Sequence, residues 1–244
     1  MYKPVLKDNY TIEDLLKIME ALRSENGCPW DKVQTHESIK QSMIEESYEA
    51  IDALNAKNYD LFANELGDVL LQVVFHSQIA KENGIFDFDR VLYEICTKLI
   101  TRHSHVFGDD SASDADDALS TWDKNKKKES GDVASGQILD EVPHHLPSLL
   151  RAEKVQKKAV SFGASTGTPA EEASEISDII SNIEKEISEN KTPADLYKEL
   201  LFKTVNLGRL MKLSPETELS DKTNDFIRTF QNNEKHNLCN ETKI

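Results

Sequence analysis

Apolar residues recur along this chain at intervals of three and four, the spacing that keeps one face of a helix out of water, and no stretch alternates as a half-buried strand would. The first helix is expected from about Thr11 to Ser24. Thr11 is suited to cap it with Asp14 three residues on, and Leu15, Leu16, Ile18, Met19 and Leu22 supply the apolar positions. The segment Asn26-Gly27-Cys28-Pro29-Trp30-Asp31 breaks the pattern. Further helices are predicted from about Thr35 to Leu54, Asp60 to Lys81 and Asp87 to His103. Four helices joined by short connections imply an antiparallel four-helix bundle over residues 1–108.

Beyond Phe107 the text changes. An acidic, small-residue run (DDSASDADDALS), a basic one (KNKKKES) and GDVASGQ read as a charged, solvated linker over 109–140. Helical pattern resumes at Pro147, with further candidates near 170–190, 193–212 and 216–232. Lys198-Glu199-Leu200-Leu201-Phe202-Lys203-Thr204-Val205 can be laid over Gly67-Asp68-Val69-Leu70-Leu71-Gln72-Val73-Val74. This weak repeat suggests that residues 141–244 form a second, shortened copy of the first bundle. The fold class is all-α, two helical domains around a linker.

Composition narrows the function. The 244 residues include 44 acidic against 29 basic side chains, a formal charge of -15, which argues against a general nucleic-acid binder. An anionic substrate would need a cation as intermediary. Cys28, Cys96 and Cys239 form no C-x-x-C pair, which fits a reducing, cytoplasmic setting. No basic start leads into a long apolar run, so neither secretion nor membrane insertion is expected.

Two segments concentrate acidic chemistry. Glu46 and Glu49 stand three apart and Glu45 and Glu49 four apart on the second helix; Glu65 and Asp68 stand three apart on the third, with Gln72 continuing their stripe. Each pair of like charges about 4 Å apart costs on the order of 4 kcal/mol at an effective dielectric of 20, so converging carboxylates need a cation. The alternative is a solvated acidic face paired with lysines. Against it, no Lys or Arg lies between Lys40 and Lys57, and Ile44, Tyr48, Ile51 and Leu54 offer a core face beside the acids. Oxygen ligands without histidine or thiolate suit Mg²⁺, with Mn²⁺ as a substitute. A di-iron bundle would want Glu-x-x-His pairs, and Glu141 to His144 encloses Pro143.

The arrangement Glu45-Glu46-x-x-Glu49 then Glu65-x-x-Asp68 resembles the signature of the all-α nucleoside triphosphate pyrophosphohydrolases. Gly27-Cys28-Pro29-Trp30-Asp31, Gln34-Thr35, Phe86-Asp87-Phe88, Arg102-His103-Ser104-His105-Val106-Phe107-Gly108 and Leu146-Pro147-Ser148-Leu149-Leu150-Arg151-Ala152 are similar to MazG proteins, over roughly residues 11–163. The resemblance implies hydrolysis of nucleoside triphosphates to monophosphate and pyrophosphate, by bundles that usually form homodimers. Glu46, Glu49, Glu65 and Asp68 would hold Mg²⁺, and Glu45, or whichever acid does not ligate, would act as general base. Substrate-binding candidates are Lys98, Arg102 and His105, spaced as a cationic stripe on the fourth helix, together with Lys32 and Trp30. Glu94 pairing with Lys98, and Trp30 anchoring its loop, are the structural alternatives.

The family is often tandem. With Glu199 on the last acid of a second motif, the others fall on Ser174, Glu175, Asp178 and Leu196. Leu196 cannot ligate a metal, so the second half is expected to be degenerate. Two competing readings remain: dUTP, dCTP or phosphoribosyl-ATP hydrolysis within the same fold, and a catalytically weak dimeric protein that binds nucleotides or a partner for regulation.

Overall fold

The structure, a computed structural model, describes residues 4–130, 139–165 and 167–241. All regular structure among them is helical. The chain divides into two compact units, residues 1–129 and 130–244.

In the first unit α1 (Ile12–Arg23), α3 (His36–Asn55), α4 (Tyr59–Glu82) and α5 (Phe88–Arg102) lie within a residue or two of the predicted spans. Side chains that cap set those limits. Thr11 and Asp14 form a reciprocal capping box, Thr35 and Ser38 form another, and Asn58 and Asp87 accept from the backbone three residues on. Helix α4 is central: α1, α3 and α5 all pack on it, α3 along most of its length. Met19, Ile39, Val74, Phe75, Ile79 and Phe88 make the core.

Between α1 and α3 the short α2 (Pro29–Val33) follows a turn in which Cys28 N–H donates to Leu22 O at 2.7 Å. A Cβ at Gly27 would overlap the carbonyl oxygens of Ala21 and Leu22, so only glycine fits there. Arg23, its side chain 5% exposed, fastens the turn: it pairs with Glu82 at 2.7 Å, donates to Asp31 O and Gln34 O, and lies 5.3 Å from the Phe75 ring.

Three expectations need correction. Ile44, Tyr48, Ile51 and Leu54 do not form the core face of α3; all are 44–54% exposed, and the buried positions are Ile39, Ala50 and Ala53. Periodicity marks an apolar stripe but not what covers it. The expected linker is partly helical, since α7 (Ala115–Ser130) crosses it. Trp122 under the Arg102 guanidinium, at 5.0 Å, and Glu129 paired with Arg102 at 2.7 Å hold α7 to the end of α5. The GDVASGQ segment lies outside the described residues. Finally, α5 ends at Arg102, where the His103 ring lies 2.6 Å from Leu99 O, and His105 belongs to a separate turn, α6 (Ser104–Phe107).

In the second unit α8 (Ser148–Ser161), α9 (Pro169–Ser188), α10 (Ala194–Leu210) and α11 (Pro215–Glu241) follow in order. α9 and α10 form a hairpin against which α8 packs through α10, and α11 touches both α8 and α10. Val142 and Val205 are its buried apolar residues.

Candidate active site

The packing of α3 on α4 explains the site. On α3, Ile39, Glu46, Ala50 and Ala53 are spaced seven, four and three, one continuous inward stripe. On α4, Glu65, Asp68, Gln72, Phe75 and Ile79 are spaced three and four in the same way. The two stripes face each other. Toward the start of α3 and the end of α4 they are apolar; further along, Glu46, Glu65 and Asp68 stand where a helix hairpin ordinarily puts core side chains. Glu65 is 7% exposed, Glu46 and Asp68 are half-buried, and Glu45 and Glu49 are exposed on the flank.

One carboxylate oxygen from each of Glu46, Glu49 and Glu65 lies within 4.8 Å of the others. Loss of solvent, then the charges of Asp68, Glu49, Glu65 and Glu45, hold the Glu46 carboxyl above its usual range. The charges of the other four acids are thus all felt at Glu46. Among the described residues no Lys, Arg or His pairs with any of them. Oxygens bound to one Mg²⁺ at about 2.1 Å are about 3 Å apart when adjacent and about 4.2 Å when opposite, so small side-chain rotations would close this cluster around an ion. Gln72 Oε1, buried with no hydrogen-bond partner, adds an unmet acceptor to the same stripe. The residues fit a hard divalent cation.

Two supports were not read from the sequence. Gln41 Nε2 donates to Glu45 Oε1 at 3.0 Å, and Asn64 Nδ2 reaches Asp68 Oδ2 at 3.4 Å. Both amides precede their acid by four residues, the only signal of their role. A third feature, the stacked His36 and His76 rings with their Nδ1 atoms 2.8 Å apart, pins α3 to α4 toward the apolar end.

The basic and aromatic candidates lie elsewhere. Trp30 on α2 is 63% exposed, and Lys32 donates to Glu25 O at 2.7 Å. Lys98 is exposed on α5, while Glu94 pairs with Arg90 and not with Lys98. Arg102 is engaged by Glu129 and Trp122, and His105 Nδ1 is buried without a partner. The helix end at Arg102 breaks the expected stripe. No hydrogen bond or ion pair among the described residues joins these five side chains to the carboxylates.

The model of the MazG nucleotide pyrophosphohydrolase domain matches residues 34–107. A curated Thermotoga maritima protein, nucleoside triphosphate pyrophosphohydrolase/pyrophosphatase MazG, is 41% identical over 226 residues, covering 91% of this chain and 85% of its own. The nucleoside triphosphate pyrophosphohydrolase of Escherichia coli K12 is 38% identical over 229 residues, 92% of this chain and 87% of its own. The chain belongs to the MazG family. All five acids of this MazG protein fall inside the matched segment, which ends within the first unit. Bacillus subtilis YabN, 37% identical over 237 residues, covers 94% of this chain with only 48% of its own length.

In the second unit of this MazG chain Glu175 bonds to Lys203 Nζ, which also lies 3.6 Å from Glu172 Oε1. An ammonium carried by the chain thus offsets the acids of α9.

Proposed function

We propose that this protein hydrolyses nucleoside triphosphates to nucleoside monophosphate and pyrophosphate at the carboxylate site of its first unit, with Mg²⁺ as cofactor and Mn²⁺ as a substitute. The observation that carries the proposal is the convergence of Glu46, Glu49 and Glu65 oxygens within 4.8 Å, with no Lys, Arg or His paired to them among the described residues. Glu46, Glu49, Glu65 and Asp68 hold the ion. When bound, it neutralises charge on the phosphate oxygens and the pyrophosphate leaving group.

Glu45 is outside the three-oxygen cluster, exposed and oriented by Gln41, which suits it to take the proton from an attacking water; Glu46, with its raised affinity for a proton, is the second candidate. Lys32, Lys98, Arg102 and His105 are the side chains from which phosphate contacts would be drawn, and Trp30 offers an exposed face for a base. Arg102 would first have to leave Glu129. The molecule works as a homodimer in this reading, because α3 and α5 leave apolar stripes uncovered.

The experiment is pyrophosphate release from ribo-, deoxy- and damaged triphosphates, with and without Mg²⁺. Glu65→Gln and Asp68→Asn should each lower turnover about a hundredfold or more while the chain stays helical. Magnesium-independent release, or full activity in both variants, would overturn the assignment.

A further inference from the structure

Among the described residues no helix packs along α7, and side chains alone fasten it to the end of α5. Asn125 Nδ2 donates to Ser104 Oγ at 2.7 Å, and the Trp122 ring lies 5.0 Å from the Arg102 guanidinium. Glu129 makes the charged link. Its carboxylate accepts from Arg102 Nη2 at 2.7 Å, from Arg102 Nε at 3.1 Å and from Thr101 Oγ1 at 3.1 Å. With α7 in place the Arg102 side chain is only 13% exposed, whereas that of Glu129 is 39% exposed.

A guanidinium forked onto a carboxylate has the geometry that it also uses for a phosphate. Hydrogen bonds from Arg102, then from Thr101, and the charges of Arg102 and Lys98 hold the Glu129 carboxyl below its usual range against the opposing effect of burial. Two cations and a hydroxyl thus act on one carboxylate. An ion pair this open to water is screened by salt and adds little to stability, so an anion of higher charge can take its place. We propose that the end of α5 is a phosphate-binding site whose built-in occupant is Glu129. A phosphate chain arriving at Arg102, Lys98 and Thr101 displaces Glu129 and releases α7. The class of ligand rests on the hydrolase reading, but this site shares no residue with the carboxylates of α3 and α4, and its test requires no turnover.

Calorimetric titration of the full chain with inorganic tripolyphosphate, in EDTA at low salt, tests this. Glu129→Gln removes the competing charge and should bind about threefold or more tightly than wild type. Arg102→Gln should bind about tenfold or more weakly, and Glu65→Gln should bind as wild type does. The effect of Glu129→Gln is a gain, which a folding defect does not produce. In Trp30→Phe, Trp122 is the sole tryptophan; tripolyphosphate should shift its emission to the red and increase its quenching by acrylamide. Equal affinity of Glu129→Gln and wild type, undiminished binding by Arg102→Gln, loss of binding in Glu65→Gln, binding with unchanged Trp122 emission, or no binding by either wild type or Glu129→Gln would each overturn the proposal.

Discussion

Glu46 occupies a position that helix periodicity reserves for a core side chain, in line with Ile39, Ala50 and Ala53, and that placement accounts for its loss of solvent. Its folded-state affinity for protons is raised above that of the unfolded chain. Its contribution to stability is therefore fully present below the unfolded pKa of 4.5 and is lost as pH rises through the higher folded value, unless a cation replaces the proton. Magnesium should then raise the melting temperature of the wild type more at about pH 8 than at about pH 5, and not at all in Glu65→Gln. An equal rise at both pH values would refute the link between Glu46 and the ion. The acids themselves were legible in the sequence because i, i+3 and i+4 spacing survives folding unchanged. Lys203 was not: its role depends on the pairing of α9 with α10, which no local pattern announces.

At the scale of elements, the limits of α1, α3, α4 and α5 were readable to within one or two residues, since Thr11, Thr35 and Asp87 declare their caps chemically, whereas α11 runs nine residues past its expected end near 232. Contacts between elements were not. Arg23 binding α1, α2 and the end of α4 together, or Trp122 holding α7 to α5, are long-range pairings that periodicity does not encode. The His36–His76 pair is another, and it gives the α3–α4 hairpin a pH dependence. Burial first, then His36, lowers the proton affinity of His76. Stability from His76 is present above its unfolded pKa of 6.5 and lost as pH falls through the folded value, where the half-buried ring would take up charge with its Nδ1 2.8 Å from that of His36. The melting temperature of metal-free protein should fall between about pH 7 and about pH 5. In His76→Gln that slope should flatten; a slope of unchanged size would show that other groups set it.

For the whole molecule, the misplaced core face of α3 is the most informative error. Ile44, Tyr48 and Ile51 are spaced as a helix face, and so are Leu92, Ile95 and Leu99 on α5, yet all six are 42–54% exposed. Exposed apolar stripes of this extent mark a surface meant to be covered. Covering them with a second copy would explain why a face written like a core is open to water in a single chain, and burying an Ile or Leu side chain contributes about 1.5–3 kcal/mol. Charges introduced on that face should act on association and leave the fold of the chain intact. Ile95→Glu with Leu99→Glu is therefore expected to convert a dimer to a monomer in sedimentation velocity while helical content by circular dichroism stays unchanged. A wild type that sediments as a monomer would refute the dimer, and a double variant that remains dimeric would place the interface elsewhere. If hydrolysis falls with dimerisation while the magnesium-induced rise in melting temperature persists, the carboxylates are complete within one chain and the partner acts on substrate binding.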